Sequence, residues 1–458
     1  MIRALSAAIT VAMLSGCAGI VHNQSMEQFN TSFNSGDLVA ASQFSMKEAG
    51  YNPENKSVDN LLWGLEAGAV LSYAGEYEQS TILLDASEKM MKSEDQEGVV
   101  NETAELGLSM LGNDAMMAYE QTQYDGVMAN TIKAWNFMFK SDFNDARVEW
   151  NRAEERQRRA VEYFAKQIKE QKEQLDEKEQ EAAEYADKSA QSDETKQLLA
   201  KNGVTLDKWQ PYDGFVNPYT TYSYGLNLLL NGKSVSDFQK ASDAFKRVYG
   251  MTNSKWVQND IELALAKSKG NSDSLDDMVW VIFENGQSAV KEEFRVDLPV
   301  FLLSDDVSYV GMALPRLKER QMAHEYIEVG GVKTQVIADI DKVIGAEFEK
   351  LYPMILTREI SRTVLKTVVQ KQAMDSNQIL GNLLAVTQVA TTNADTRSFT
   401  SLPKQFQTAH FKKKDSTIKV KAGNHQLDVV LDPNAKQHIV HVKAISSGVA
   451  PIVRVINI

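Results

Sequence analysis

The chain of 458 residues contains one cysteine, Cys17, and only six histidines and nine prolines. A single cysteine cannot form an intramolecular disulfide bond, so the fold depends on its core packing. Zinc sites built from several cysteines are excluded for the same reason. No apolar stretch reaches the roughly 20 residues that a transmembrane helix needs. The apolar run at residues 4–14 is about half that length, which is typical of a signal peptide.

The residues around Cys17 explain why a lone thiol stands there. Arg3 precedes the apolar run, and the small residues of Leu14-Ser15-Gly16-Cys17 follow it. This stretch resembles the lipobox of bacterial lipoproteins, which implies a signal peptide at 1–16, cleavage between Gly16 and Cys17, and a covalent lipid on the Cys17 thiol. Ala18 resembles the outer-membrane sorting signal of such proteins. The alternative is an ordinary secretory signal with an incidental cysteine.

The net negative charge of the chain limits the classes of molecule that it can bind. Removing residues 1–16 takes away Arg3 alone, which leaves 48 basic residues (49 minus one) against 62 acidic ones. A net charge near minus 14 repels phosphate backbones, so we expect no nucleic-acid partner and membrane attachment through the lipid alone.

Residues 17–25 read as a polar tether, and residues 26–270 show helical periodicity that predicts a tetratricopeptide-like domain. Small and aromatic residues recur where paired repeat helices cross. One set is Ala134, Phe137, Phe143, Ala146, Trp150 and Ala153; a second is Tyr224, Gly225, Leu228, Phe238, Ala241, Phe245 and Val248; a weaker third is Gly68, Leu71, Tyr77 and Leu84. A generic helical bundle with chance spacing is the alternative.

A long charged helix is predicted at about residues 145–190, inside the helical domain. Val161, Ile168, Leu175 and Ala182 recur every seven residues, but the companion positions include Lys172 and Glu179. A coiled coil needs both positions apolar, so we expect a solvated helix with one narrow apolar edge. It is either a charged repeat helix or an arm that contacts a partner.

Periodicity changes after residue 270. Residues 271–392 alternate between strand and helix patterns, and residues 393–458 contain five short strand patterns separated by turns. The predicted fold class is therefore α+β: a helical repeat domain, a mixed region, and a small C-terminal antiparallel β domain resembling a sandwich.

Catalytic and cofactor motifs are incomplete. Gly232-Lys233-Ser234 lacks the earlier glycine of a phosphate-binding loop, and His324-Glu325 is followed by Glu328 where a zinc protease has its second histidine. We therefore expect no enzymatic activity, no metal and no cofactor beyond the lipid.

Five segments are similar, in this order, to a family of proteobacterial lipoproteins with tetratricopeptide-like helices. They are "GFVNPYTTYSYGLNLLL", "FENGQSAVKEEFRVDLP", "VGMALPRL", "LTREISRTVLK" and "NADTRSFTSLP". The likeness covers about residues 205–411 well and the helical part more loosely. It implies a function in cell-envelope or peptidoglycan assembly, by gene association.

Two groups of residues are candidate contacts. Arg397 is predicted to clamp a carboxylate across the strand–helix interface, either Glu284 or Glu292, or a carboxylate of a partner. Exposed aromatics would line a groove between repeat units, with core packing as their alternative fate: Trp63, Tyr73 and Tyr224.

These observations favour a lipid-anchored scaffold or adaptor that faces the periplasm from the outer membrane and binds a protein partner. The first alternative is a module that binds a cell-wall glycan or fragment in a cleft mixing aromatics and acids. The second is a hydrolase, which predicts two buried carboxylates facing each other within about 10 Å in such a cleft.

Overall fold

The computed structural model describes residues 22–97, 118–173, 188–204, 206–210, 212, 216–271, 273–301, 307–376 and 393–458. The predicted cleavage site, Gly16 and Cys17, lies outside these residues. The fold is α+β, with helices before residue 270 and mixed sheets and helix after it.

Ten α-helices of eight or more residues lie in the described part before residue 270. They are α1 (22–34), α2 (Leu38–Glu48), α3 (Leu61–Ala74), α4 (Tyr77–Glu97), α5 (Gln123–Phe139), α6 (Phe143–Glu173), α7 (Asp193–Lys201), α8 (Pro218–Asn231), α9 (Val235–Thr252) and α10 (Lys255–Ser268). Polar side chains begin several of them. Asn60 accepts a hydrogen bond from the Trp63 N–H, and Asn217 precedes Pro218 at the first position of α8.

Helices α3 and α4, α5 and α6, and α8 and α9 form antiparallel hairpins in which small residues allow close crossing. A Cβ added at Gly68 would lie 2.5 Å from the Leu84 side chain, and one at Gly225 would lie 3.0 Å from Phe245. Both contacts join positions that the repeat pattern pairs. The packing shows hairpins, and their assignment as tetratricopeptide-like repeats stays a prediction.

The predicted tether is wrong at its C-terminal end, because α1 begins at residue 22. Phe29 and Phe33 are fully buried on this helix. Their rings lie 5.6 Å from Trp63 and 6.3 Å from Tyr73. Burial of these two aromatic side chains stabilises the packing of α1 against the helices, although most residues of this segment are polar.

The long charged helix is shown in part. Helix α6 runs from Phe143 to Glu173, and residues 174–187 of the predicted element lie outside the described residues. A later helix, α11 (Ile340–Ser376), is continuous through Pro353, although proline inside a helix usually breaks or kinks it.

Eleven strands follow α10 in the described residues. They are β1 (Met278–Asn285), β2 (Val290–Phe301), β3 (Val307–Lys318), β4 (Glu328–Val329), β5 (Val332–Lys333), β6 (Gln335–Asp339), β7 (Gln405–Lys412), β8 (Thr417–Ala422), β9 (His425–Val430), β10 (Gln437–Ala444) and β11 (Ile452–Asn457). The last five coincide with the five strand patterns of the C-terminal region.

These strands form three sheets. Five strands are ordered β11-β10-β1-β7-β6, four are ordered β5-β4-β8-β9, and β2 and β3 form a long hairpin. Strand β1 pairs in parallel with β10 and antiparallel with β7. The predicted domain boundary at residue 393 therefore does not separate two sheets. Strand β1 precedes this boundary but lies between two strands that follow it, β7 and β10. Strand pairing between distant segments leaves no local sequence signal.

Strand β1 is buried on both faces because it lies inside a layered structure. Val279, Val281 and Phe283 pack towards the four-stranded sheet. Trp280 and Ile282 pack towards the helices. The two sheets thus form a sandwich, and the helical hairpins cover its other side.

Candidate functional site

A polar cavity lies between α1 and the loops that precede β2, follow β3 and precede β7. We call it the α1 pocket. Its volume is ≈ 440 Å³. The lining residues are His22, Asn23, Met26, Glu27, Asn30, Thr31, Asn34, Gln287, Val290, Lys291, Arg320, Thr396, Ser398 and Thr400.

Arg320 is one of the cations that line this pocket. Its Nε donates to the Ser288 carbonyl at 2.6 Å, Nη1 donates to Gln287 Oε1 at 2.8 Å, and Nη2 donates to the Thr400 carbonyl. All three acceptors are neutral, and no carboxylate of the described residues forms an ion pair with this guanidinium. Burial lowers the Arg320 pKa to about 10, although the charges of Glu66 and Asp341 act to raise it, so Arg320 stays a cation at neutral pH.

Arg320 also fixes the orientation of two side-chain amides. A guanidinium can only donate, so Gln287 must face it with its oxygen and turn its NH₂ group towards Asn34. Asn34 then accepts from Gln287 through Oδ1. The Asn34 NH₂ group is left to donate elsewhere. The pocket therefore presents an oriented cation and a free amide donor, a combination that suits an anionic ligand.

A second cation, Lys291, begins β2 at the same pocket. Its backbone N–H donates to Ser398 Oγ at 3.1 Å, which ties β2 to the segment before β7. Its side chain is half-buried, and its charge helps to lower the pKa of Asp395. In the sequence, Lys291 is an ordinary charged residue at the start of a strand pattern. No local signal marks it or Arg320 as a pocket residue.

The two predicted partners of Arg397 within the chain, Glu284 and Glu292, are wrong, and its contact with a carboxylate of a partner protein stays a prediction. Its guanidinium pairs with Asp395, 2.9 Å away and two residues before it, and it lies over the Tyr119 ring. Burial raises the pKa of Asp395, but the hydrogen bond and charge of Arg397 outweigh burial and hold that pKa below its usual range. Because Arg397 pairs with Asp395 of its own short loop, it does not reach Glu284 or Glu292.

Glu284 instead belongs to a buried cluster at a second, small cavity of ≈ 30 Å³. Its carboxylate lies 3.2 Å from His441 Nε2 and 3.3 Å from Lys443 Nζ. The Tyr219 hydroxyl donates to it at 3.3 Å. Burial raises the Glu284 pKa, but Lys443 and His441 outweigh burial and lower it to about 2. Burial lowers the Lys443 pKa to about 8.

Glu292 pairs with cations of the neighbouring strand. Arg316 and Lys318 on β3 lie 2.9 Å and 3.1 Å from its carboxylate. All three side chains are partly exposed, so this is a surface pair that joins the β2–β3 hairpin. It does not reach the α1 pocket.

Two of the three predicted groove aromatics, Trp63 and Tyr73, are buried. Trp63 is 3% and Tyr73 is 8% exposed, because α1 packs over both. Tyr224 is half-buried and packs at the edge of the core. The repeat pattern correctly put these rings on helices but gave no sign that the N-terminal segment would cover Trp63 and Tyr73.

Two buried carboxylates lie at the start of α5. Glu347 accepts hydrogen bonds from the Gln123 N–H at 2.9 Å and from the Tyr124 N–H. Asp125 accepts from the Tyr119 hydroxyl at 2.7 Å. Burial raises the pKa of both, that of Glu347 to about 8. They cap a helix, and neither lines the α1 pocket. The hydrolase alternative stays a prediction.

Within the described residues, no group of three or more His, Cys, Asp or Glu side chains is placed to hold a metal ion. In the same part of the chain, no helix is both long and apolar enough to cross a bilayer. Comparison with family models, curated proteins and solved structures gives no match to this chain. The α1 pocket is thus the candidate site on its geometry alone.

Proposed function

We propose that this protein is a lipid-anchored adaptor that faces the periplasm and holds a protein partner of the cell envelope at the α1 pocket. The supporting observation is Arg320, a cation that neutral acceptors orient and that faces an open polar cavity. Glu66 and Asp341 act on this cation by their charge alone, and a ligand carboxylate would add direct hydrogen bonds to it.

The position of the pocket fits an anchored protein. Helix α1 begins five residues after Cys17, counting from 17 to 22. A fully extended link of that length spans at most about 18 Å. A lipid on Cys17 would therefore hold α1 and its pocket close to the membrane surface, where an envelope partner is within reach.

Site-specific photo-cross-linking tests this function. Thr31 is exposed on α1 and lines the pocket, so a photoreactive amino acid in its place should capture the partner in intact cells. The same label at Lys246, exposed on α9, is the control. We expect a covalent product from position 31 that Arg320→Gln abolishes. A product that persists in Arg320→Gln, or no product from position 31, would contradict the proposal.

A cell-wall fragment is the second candidate, because a volume of ≈ 440 Å³ suits a small ligand. N-acetylmuramic acid and N-acetylglucosamine differ by one lactyl carboxylate, so they are matched probes for the cations. Preferential binding of the acid, measured by calorimetry and lost in Arg320→Gln, would favour this candidate. Equal binding of both sugars would count against it.

A further inference from the structure

We infer that the α1 pocket binds the free C-terminal carboxylate of an extended peptide, with Arg320 as the carboxylate-binding residue. This inference rests on the proposed function, since it names the part of the partner that enters the pocket. Two features carry it: the unused donors of Arg320 and the row of polar groups along α1.

The guanidinium of Arg320 has five N–H groups and uses three of them on Ser288, Gln287 and Thr400. One N–H group remains on each terminal nitrogen. A carboxylate has two oxygens that can accept from these two remaining donors, as in an arginine–carboxylate pair. The three carbonyl-type bonds hold the guanidinium in place, so binding requires little further ordering of this side chain.

The shape of the pocket suits an extended chain. Asn23, Glu27, Asn30, Thr31 and Asn34 all line it, and their spacing puts them on one face of α1. Asn23 and Asn34 are eleven positions apart, or about 16 Å along a helix axis. An extended peptide of about five residues covers the same length.

The chemistry of that row suits a peptide backbone. The NH₂ group of Asn34 is free to donate to a carbonyl oxygen, because Gln287 occupies its oxygen. The exposed carboxylate of Glu27 accepts hydrogen bonds and matches a backbone N–H. A peptide end presents both kinds of group beside its terminal carboxylate.

Other oxyanions fit less well. The described lining contains no Phe, Tyr or Trp side chain, so it offers no such ring face on which a sugar can stack. Inorganic phosphate would use the cations and leave the row along α1 without a ligand. A peptide end uses both parts of the pocket.

Affinity selection with two matched libraries tests the inference. The full-length lipoprotein in detergent is immobilised and exposed to acetylated pentapeptides that end in a free carboxylate, or to the same peptides as C-terminal carboxamides. Bound peptides are identified by mass spectrometry, and their dissociation constants are measured by fluorescence anisotropy. We expect enriched free acids that bind at least tenfold more tightly than their amides.

Three variants complete the test. Arg320→Lys keeps the charge but loses the two-pronged geometry, so it should reduce acid binding to the level of the amide. Lys291→Gln leaves the Arg320 hydrogen bonds intact, so it should weaken binding several-fold, with a small loss of melting temperature because its charge also stabilises nearby carboxylates such as Asp395. Arg158→Gln removes a cation that is 75% exposed on α6 and should have no effect.

Equal enrichment of acids and amides, or enrichment of neither, overturns the inference. Tighter binding of inorganic phosphate than of any free-acid peptide also overturns it. These outcomes leave the adaptor proposal standing if position 31 still cross-links a partner in an Arg320-dependent manner. If no partner cross-links there, the adaptor proposal fails separately.

Discussion

Replacing Glu284 by glutamine should destabilise the protein by about 3–5 kcal/mol at pH 7. The carboxylate and the Lys443 ammonium are both buried and lie 3.3 Å apart. Glu284→Gln leaves the ammonium beside the Tyr73 ring and His441 with no full negative charge in contact. Lys443 must then remain charged without a counter-ion or lose its proton, and either outcome costs several kcal/mol.

The pKa shifts of the two partners act on stability in opposite directions. Glu284 falls from 4.5 to about 2 on folding, which corresponds to about 3 kcal/mol of stabilisation. That contribution is complete above about pH 4.5 and is lost as the pH falls through 2. Lys443 falls from 10.5 to about 8, which costs about 3 kcal/mol at neutral pH. This cost disappears as the pH rises from 8 towards 10.5.

The double variant Glu284→Gln/Lys443→Met should therefore recover most of the lost stability and lie within about 1–2 kcal/mol of the native protein. Urea unfolding followed by circular dichroism gives the free energies, and hydrogen exchange of β1 and β10 localises the effect. Glu328→Gln is the control, because its pair with Lys421 is exposed and should contribute less than about 1 kcal/mol. A Glu284→Gln effect below about 1 kcal/mol, or a double variant no more stable than the single one, would refute the reasoning.

Three further predictions follow from burial, space and chemistry. Gly68→Ala should lower the free energy of unfolding by about 1–3 kcal/mol in a urea titration, because the added Cβ would lie 2.5 Å from the Leu84 side chain. Gly250→Ala is the control: its Cβ meets nothing within 4 Å, so it should raise the free energy of unfolding slightly. The pKa of Glu347 is about 8 in the folded protein against 4.5 in the unfolded chain, so the free energy of unfolding should fall as the pH rises from 5 to 8. Glu347→Gln should remove most of that fall. An unchanged pH profile would contradict the raised pKa of Glu347. Cys17→Ser should move the protein from the membrane to the soluble fraction, as measured by fractionation and immunoblotting, and continued membrane association would refute the anchor.

The secondary structure could be predicted where periodicity is local and strong. The C-terminal strands follow from alternation between turns, and β8 shows the alternating burial that such a pattern indicates. Pairing could not be predicted in the same way. Residue 278 lies opposite residue 437 in the sheet, and no local pattern records a partner so distant in sequence.

The candidate site was harder to predict than the fold. Arg320 lies between Glu319 and Gln321 in a charged stretch, so its sequence surroundings resemble those of any surface arginine. What distinguishes it is the set of carbonyl oxygens from distant loops, which only folding brings together. Glu284 did carry a signal: a single acid within an apolar strand must find a partner once it is buried. The apolar strand of Lys443 carries the matching signal.

The central position of β1 has a consequence for biogenesis. Until residues 437–444 are available, β1 lacks one of its two hydrogen-bonding neighbours and exposes an apolar strand edge. Closing a loop of that length makes this pairing slow, so the sheet is completed only after nearly the whole polypeptide has been synthesised. A nonsense mutation that removes the last 22 residues would leave that edge open, and cells should degrade or aggregate the product even though every helix before β1 is encoded intact.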